Sequence, residues 1–152
     1  MKWMALVLCA LSLGGCALVD DGLVHFQLDD GDEYTYLYEP YDNNHTAYDG
    51  RLLAEMSPDE LREAGEFRYA GENVVAKNAG EAAAFGVAVL NAHYERWNDG
   101  NSVYVSESKG TDMWIVVGRL HDRYSETTPR AVVCSKSSGE VYYVGGVDWN
   151  SR

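Results

Sequence analysis

Cysteine is nearly missing from this 152-residue chain, which has only Cys9, Cys16 and Cys134. The first two fall within the opening sixteen residues, so Cys134 stands alone in the remainder and a disulfide scaffold is excluded. Cys134 ends the apolar run Ala131-Val132-Val133-Cys134, which reads as a small buried hydrophobe rather than a reactive thiol. Positive charge is also scarce: 12 Lys and Arg face 24 Asp and Glu, a net charge of −12. That balance excludes a nucleic-acid partner, whose phosphates require Lys and Arg, and an electrostatic grip on anionic lipid. The longest apolar run, Trp3 to Leu13, is too short to cross a bilayer as a helix, which takes about 20 residues. The four histidines (25, 45, 93 and 121) lack the local pairing of a metal site, so no metal is expected. A nucleophile elbow, a P-loop and a dinucleotide-binding glycine pattern are all missing. Asp29-Asp30-Gly31-Asp32 lacks the spacing of a calcium loop. Ser125, Thr127 and Thr128 have no evident base beside them. No catalytic residue and no cofactor are therefore expected, and the chain reads as a non-enzyme.

What is present begins at the amino terminus. Lys2 precedes the apolar run, and Leu13-Gly14-Gly15-Cys16 closes it with small residues leading directly to a thiol. This pattern resembles the lipobox of bacterial lipoproteins. The resemblance implies that residues 1–15 are a signal peptide, that Cys16 is fatty-acylated, and that the protein is lipid-anchored in the cell envelope. Ala17, where an inner-membrane lipoprotein tends to carry Asp, points to the outer membrane, facing the periplasm. Removing 15 of the 152 residues leaves 137, enough for one domain. Residues 16–22 form a lipidated tether, of which Ala17–Gly22 reach at most about 20 Å, and residues 23–152 form a single domain.

The segment Leu23–Leu28 reads as a strand and Asp29–Asp32 as a turn. Glu33–Tyr41 alternates Tyr34, Tyr36 and Tyr38 with other residues, giving a second strand with one aromatic face and hence a hairpin. Residues 42–50 read as a loop. Ser57-Pro58-Asp59-Glu60 starts a short helix ending near Gly65, and Asn78-Ala79-Gly80-Glu81 starts a long one running to about Trp97. Ala82, Phe85, Gly86, Val89, Leu90, His93 and Trp97 make its apolar stripe, with Glu81, Asn91 and Glu95 opposite. Strands follow at 102–107, 113–120, 130–135 and 140–144. The expected architecture is α+β: one long helix packed on a curved antiparallel sheet, with an N-terminal hairpin and a short helix.

Two groups of residues are candidates for function. Asp29, Asp30, Asp32 and Glu33, with Tyr34, Tyr36 and Tyr38, combine negative charge with aromatic anchors and suit a basic protein partner. Acidity that only maintains solubility is the alternative. His93, Tyr94, Trp97 and Trp114 are candidates for lining a cavity between helix and sheet. His93 reads as a satisfied interior histidine, with an acid–base role as the alternative.

From Val75 to Gly146 the order is a capped helix, then Trp114-x-Val116-x-Gly118-x-Leu120, then a hairpin at Lys136-x-x-Gly139-Glu140-Val141. This is similar to immunity proteins with a nuclear-transport-factor-2-like fold, with Glu81, Ala82, Leu90 and Tyr94 matching their helix. A cystatin-like outline is shared. The resemblance implies a non-catalytic protein that neutralises a cognate toxin. The alternative is a small-ligand-binding or accessory envelope lipoprotein, likewise without catalytic activity.

Overall fold

The computed structural model of the chain describes residues 23–27, 33–39, 46–94, 102–108, 110–119 and 129–149. The strands are β1 (Leu23–Gln27), β2 (Glu33–Glu39), β3 (Thr46–Tyr48), β4 (Arg51–Leu52), β5 (Ser102–Glu107), β6 (Met113–Arg119), β7 (Arg130–Ser135), β8 (Val141–Gly146) and β9 (Asp148–Trp149). The helices are α1 (Pro58–Ala64) and α2 (Ala79–His93), with a 3-10 turn at Leu53–Glu55. Six strands form one sheet in the order β1-β2-β5-β6-β7-β8, and three form a smaller one in the order β4-β3-β9. The fold is α+β.

Period-two alternation builds a core on both faces of the large sheet. Val103, Val105, Trp114, Val116, Val132, Cys134 and Val144 pack with α2 on one side. Tyr104, Met113, Ile115, Val117, Ala131, Val133 and Tyr143 pack with Leu53, Met56 and Leu61 on the other. The central strands are thus apolar on both faces, and the domain has three layers.

The sheet is mixed, which corrects the antiparallel expectation. The hairpin β1–β2 and the meander β5–β8 are antiparallel, but β2 pairs β5 in parallel, with Tyr36 opposite Val103 and Tyr38 opposite Val105. Both helices lie between these two strands in sequence, and a crossover of that length carries the chain back to run parallel. The expected loop at 42–50 also differs, because β3 and β4 form a tight hairpin with Tyr48 opposite Arg51. Asp49 and Gly50 both have positive φ, 49° and 77°, as a two-residue hairpin turn of this hand requires.

Helix α2 ends at His93 with Tyr94 as its C-cap, earlier than the stripe implied. Its burial is not one-sided either: every residue from Glu81 to Leu90 is buried. The helix is built largely from Ala, Val and Gly, and Tyr69, Val74 and Ala76 of the strap formed by residues 65–78 pack into the same core. Tyr69 in that strap meets Phe85 edge-on at 5.9 Å. Glu81 is tolerated there because its carboxylate accepts hydrogen bonds from the Lys77 backbone at 2.8 Å and from Asn78 Nδ2 at 3.3 Å. The strap also covers the edge of β8, where Glu66 N donates to Val144 O at 2.8 Å.

Helix α1 forms where Ser57-Pro58-Asp59-Glu60 predicts it. Ser57 Oγ accepts from Glu60 N, Glu60 accepts from Ser57 N, and Pro58 occupies the first turn. The Arg51 guanidinium, aided by the Ser57 hydrogen bonds, holds the Glu60 carboxyl at about 2. This carboxyl is more acidic in the folded chain than its ordinary 4.5, so its contribution is complete above pH 4.5 and lost as pH falls toward 2. Urea midpoints followed across that window should fall more steeply for the natural chain than for Glu60→Gln.

Candidate functional site

The tyrosines of β2 share the α2 side of the sheet but do not form a free aromatic face. Tyr34 is buried in the core beneath α2, and its hydroxyl accepts a hydrogen bond from Asn91 Nδ2 at 3.3 Å. Tyr36 is half-buried, and burial pushes its phenol up. Tyr38 alone of the three is exposed, at 37 %. Its hydroxyl donates to Glu107 at 2.7 Å and its ring meets Trp114 edge-on at 6.4 Å. The period of the strand fixes which side these rings share; the helix crossing that side removes the first two from a partner's reach. Asp29, Asp30 and Asp32 lie outside the described residues, and Glu33 is described only as part of the β2 backbone.

The four residues expected around one cavity are not brought together. His93 and Tyr94 stand at the C-terminal end of α2, whereas Trp114 Nε1 donates to Ala76 O at 3.1 Å, just before the helix begins. The helix separates them by about 20 Å at 1.5 Å per residue. Trp97 lies outside the described residues. Trp114 instead ties the strap to the sheet. Lys136 stands over its ring at 5.0 Å and bonds Glu107 at 2.5 Å. Lys136, with Tyr38, holds the Glu107 carboxyl below the usual range.

His93 stacks on Phe67 at 5.0 Å, with Tyr69 edge-on at 6.3 Å. Among the described residues its Nε2 is buried without a hydrogen-bond partner, which departs from the expected satisfied interior histidine, and burial lowers its pKa. Beside it, Tyr94 donates to Glu66 Oε2 at 2.8 Å, while Glu66 Oε1 accepts from Arg130 at 2.8 Å and from Gly146 N at 3.1 Å. The Arg130 guanidinium lies 4.6 Å from the centre of the Tyr94 ring. Burial and Glu66 push the Tyr94 phenol up. These contacts fasten the end of α2 to the strap and to β8. Cys134 is buried as expected, its thiol pushed up to about 12 by burial.

Sequence reasoning missed two clefts, one at the start of α1 and one beside the small β4-β3-β9 sheet. The first, about 380 Å³, is walled by Met56, Pro58, Met113 and Tyr142 and rimmed by Glu55 and Asp112. Asp112 accepts hydrogen bonds from Ser135 Oγ at 2.9 Å, from Ser137 N at 3.1 Å and from the Ser137 hydroxyl. Ser137 first, then Ser135, holds the Asp112 carboxyl below its ordinary range. The second cleft, about 390 Å³, is lined by Tyr48, Asp49, Glu66 and Asp148. Among the described residues, Arg130 pairs with Glu66, while Asp49, Glu55, Asp112 and Asp148 make no ion pair. No sequence signal announces either cleft, since Glu55 and Asp112 meet only through the topology. Among the described residues no group of acidic, histidine or cysteine side chains is arranged to hold a metal, and no helix is long and apolar enough to cross a membrane.

Compared with protein-family models, curated proteins and solved structures, the chain matches none.

Proposed function

We propose that this chain is a lipid-anchored envelope protein that works by binding, as an immunity protein that neutralises a basic toxin. The observation that carries this reading is the pair of acidic clefts, with four carboxylates, Asp49, Glu55, Asp112 and Asp148, that form no ion pair among the described residues. Unpaired like charges repel one another, and a complementary surface relieves that repulsion while steering encounter. The net charge of −12 extends the same field over the whole chain. Acylation at Cys16 would hold the domain at the envelope, the outer membrane in a host that has one, where an incoming toxin arrives. A helix followed by the β5–β8 meander supports a nuclear-transport-factor-2-like or cystatin-like arrangement.

The test is protection. A cell lacking this chain should be poisoned by a basic protein encoded beside it, and expression of the full chain should restore growth. Direct binding of the two should weaken at least about tenfold when salt rises from low to several hundred millimolar, as screening of exposed charges requires. Continued poisoning despite expression, or binding indifferent to salt, would contradict the reading.

A further inference from the structure

The cleft beside the start of α1 has a more specific chemistry than acidity. We infer that it is the anchor site for one arginine or lysine side chain of a protein partner, whose aliphatic stem lies on Met56, Met113 and Tyr142 while its cationic head sits between Glu55 and Asp112. This assignment rests on the binding function proposed above and names the group that the surface receives.

Three features of the cleft support it. Its walls are apolar: Met56 and Met113 are buried side chains exposing only an edge, and Pro58 and half-buried Tyr142 complete the lining. Long cationic side chains lay their methylenes on such surfaces and keep the charged end at the rim, and methionine adapts its shape to what it meets. The rim supplies two carboxylates without ion pairs, since Glu60 is already taken by Arg51 and the neighbouring Lys136 is bonded to Glu107. Asp112 is moreover held in place by Ser135 and Ser137, so a cation meets a carboxylate whose orientation is already set. The molecule also uses this chemistry on itself: Arg62 stands 4.9 Å over the Tyr142 ring while pairing with Asp59 and Glu140. A volume of about 380 Å³ lies at the small end of ligand sites and suits a side chain better than a whole drug-sized molecule.

The probe is the capped peptide Gly-Gly-Arg-Gly-Gly, titrated into the full chain carrying 13C-methyl methionine. The expected result is saturable shifting of the Met56 and Met113 methyl signals. Binding should be at least about fivefold weaker in Glu55→Gln and in Asp112→Asn, unchanged in Glu63→Gln, which is not part of the cleft lining, and lost when citrulline replaces arginine. Glu55 makes no ion pair among the described residues and only a longer-range attraction to Arg51, so its variant reports on the cleft even if Asp112→Asn disturbs the β7–β8 turn. Three results would overturn the inference: equal affinity in Glu55→Gln and the natural chain, equal binding of the citrulline peptide, or equal methyl shifts with n-hexanol, which would assign an apolar ligand. If Glu55→Gln weakens the peptide but the chain protects no cell, the cleft assignment stands and the immunity function fails. If protection survives both rim substitutions unchanged, the reverse holds.

Discussion

Replacing Phe85 by alanine is expected to remove about 3–5 kcal/mol of stability, the usual cost of emptying a buried aromatic site. Phe85 is 1 % exposed in the middle of α2, and its ring meets Tyr69 of the strap edge-on. Such an aromatic pair adds to the burial itself. The strap has no regular secondary structure of its own between α1 and the cap of α2, so it should loosen first when the ring is removed. Two signatures are expected: a fall of about 10 °C in the melting temperature, and faster amide exchange in residues 66–77 than in β6 or β7. A loss below about 1 kcal/mol would mean that the strap does not depend on this ring.

Gly139→Ala should cost about 2–5 kcal/mol, combining a left-handed backbone with a steric overlap. Gly139 closes the β7–β8 turn at φ 71°, with its N–H donating to Ser135 O at 3.1 Å. A Cβ there would overlap the Val74 backbone, which cannot swing aside as a side chain does. Gly110 supplies the control, since its φ is 77° and nothing lies within 4 Å of its Cβ position. Gly110→Ala should therefore cost only about 1–2 kcal/mol. Equal losses in the two variants, by urea unfolding, would contradict the close approach of strap and turn.

The meander was readable from sequence because Ser102–Glu107 alternates while Met113–Arg119 and Arg130–Ser135 are apolar runs bounded by turn residues. The start of α1 was readable because Ser57, Pro58 and Glu60 each satisfy a distinct need of a helix terminus. The β3–β4 hairpin was signalled by Asp49-Gly50, but strands of three and two residues carry no period to confirm it. The full burial of α2 escaped notice because Ala83, Ala84, Val87 and Ala88 give little contrast with the stripe beside them; contrast, not burial, is what periodicity detects. The parallel β2–β5 pairing follows from the path of a crossover, which no local pattern encodes. The candidate site was least legible. Tyr34 and Tyr36 are identifiable as sharing a side, but what covers that side depends on a helix more than forty residues away. Glu55 and Asp112 become neighbours only when the 3-10 turn and the start of β6 pack together.

An acidic domain moored by lipid at the envelope is the centre of this account, and the mass of the amino-terminal peptide from the chain in its native host tests it most directly. The account predicts a chain beginning at Cys16 and carrying fatty acyl groups on that residue, recovered from the membrane fraction. A chain beginning at Met1 in the cytosol, or an unmodified Cys16 thiol, would contradict it.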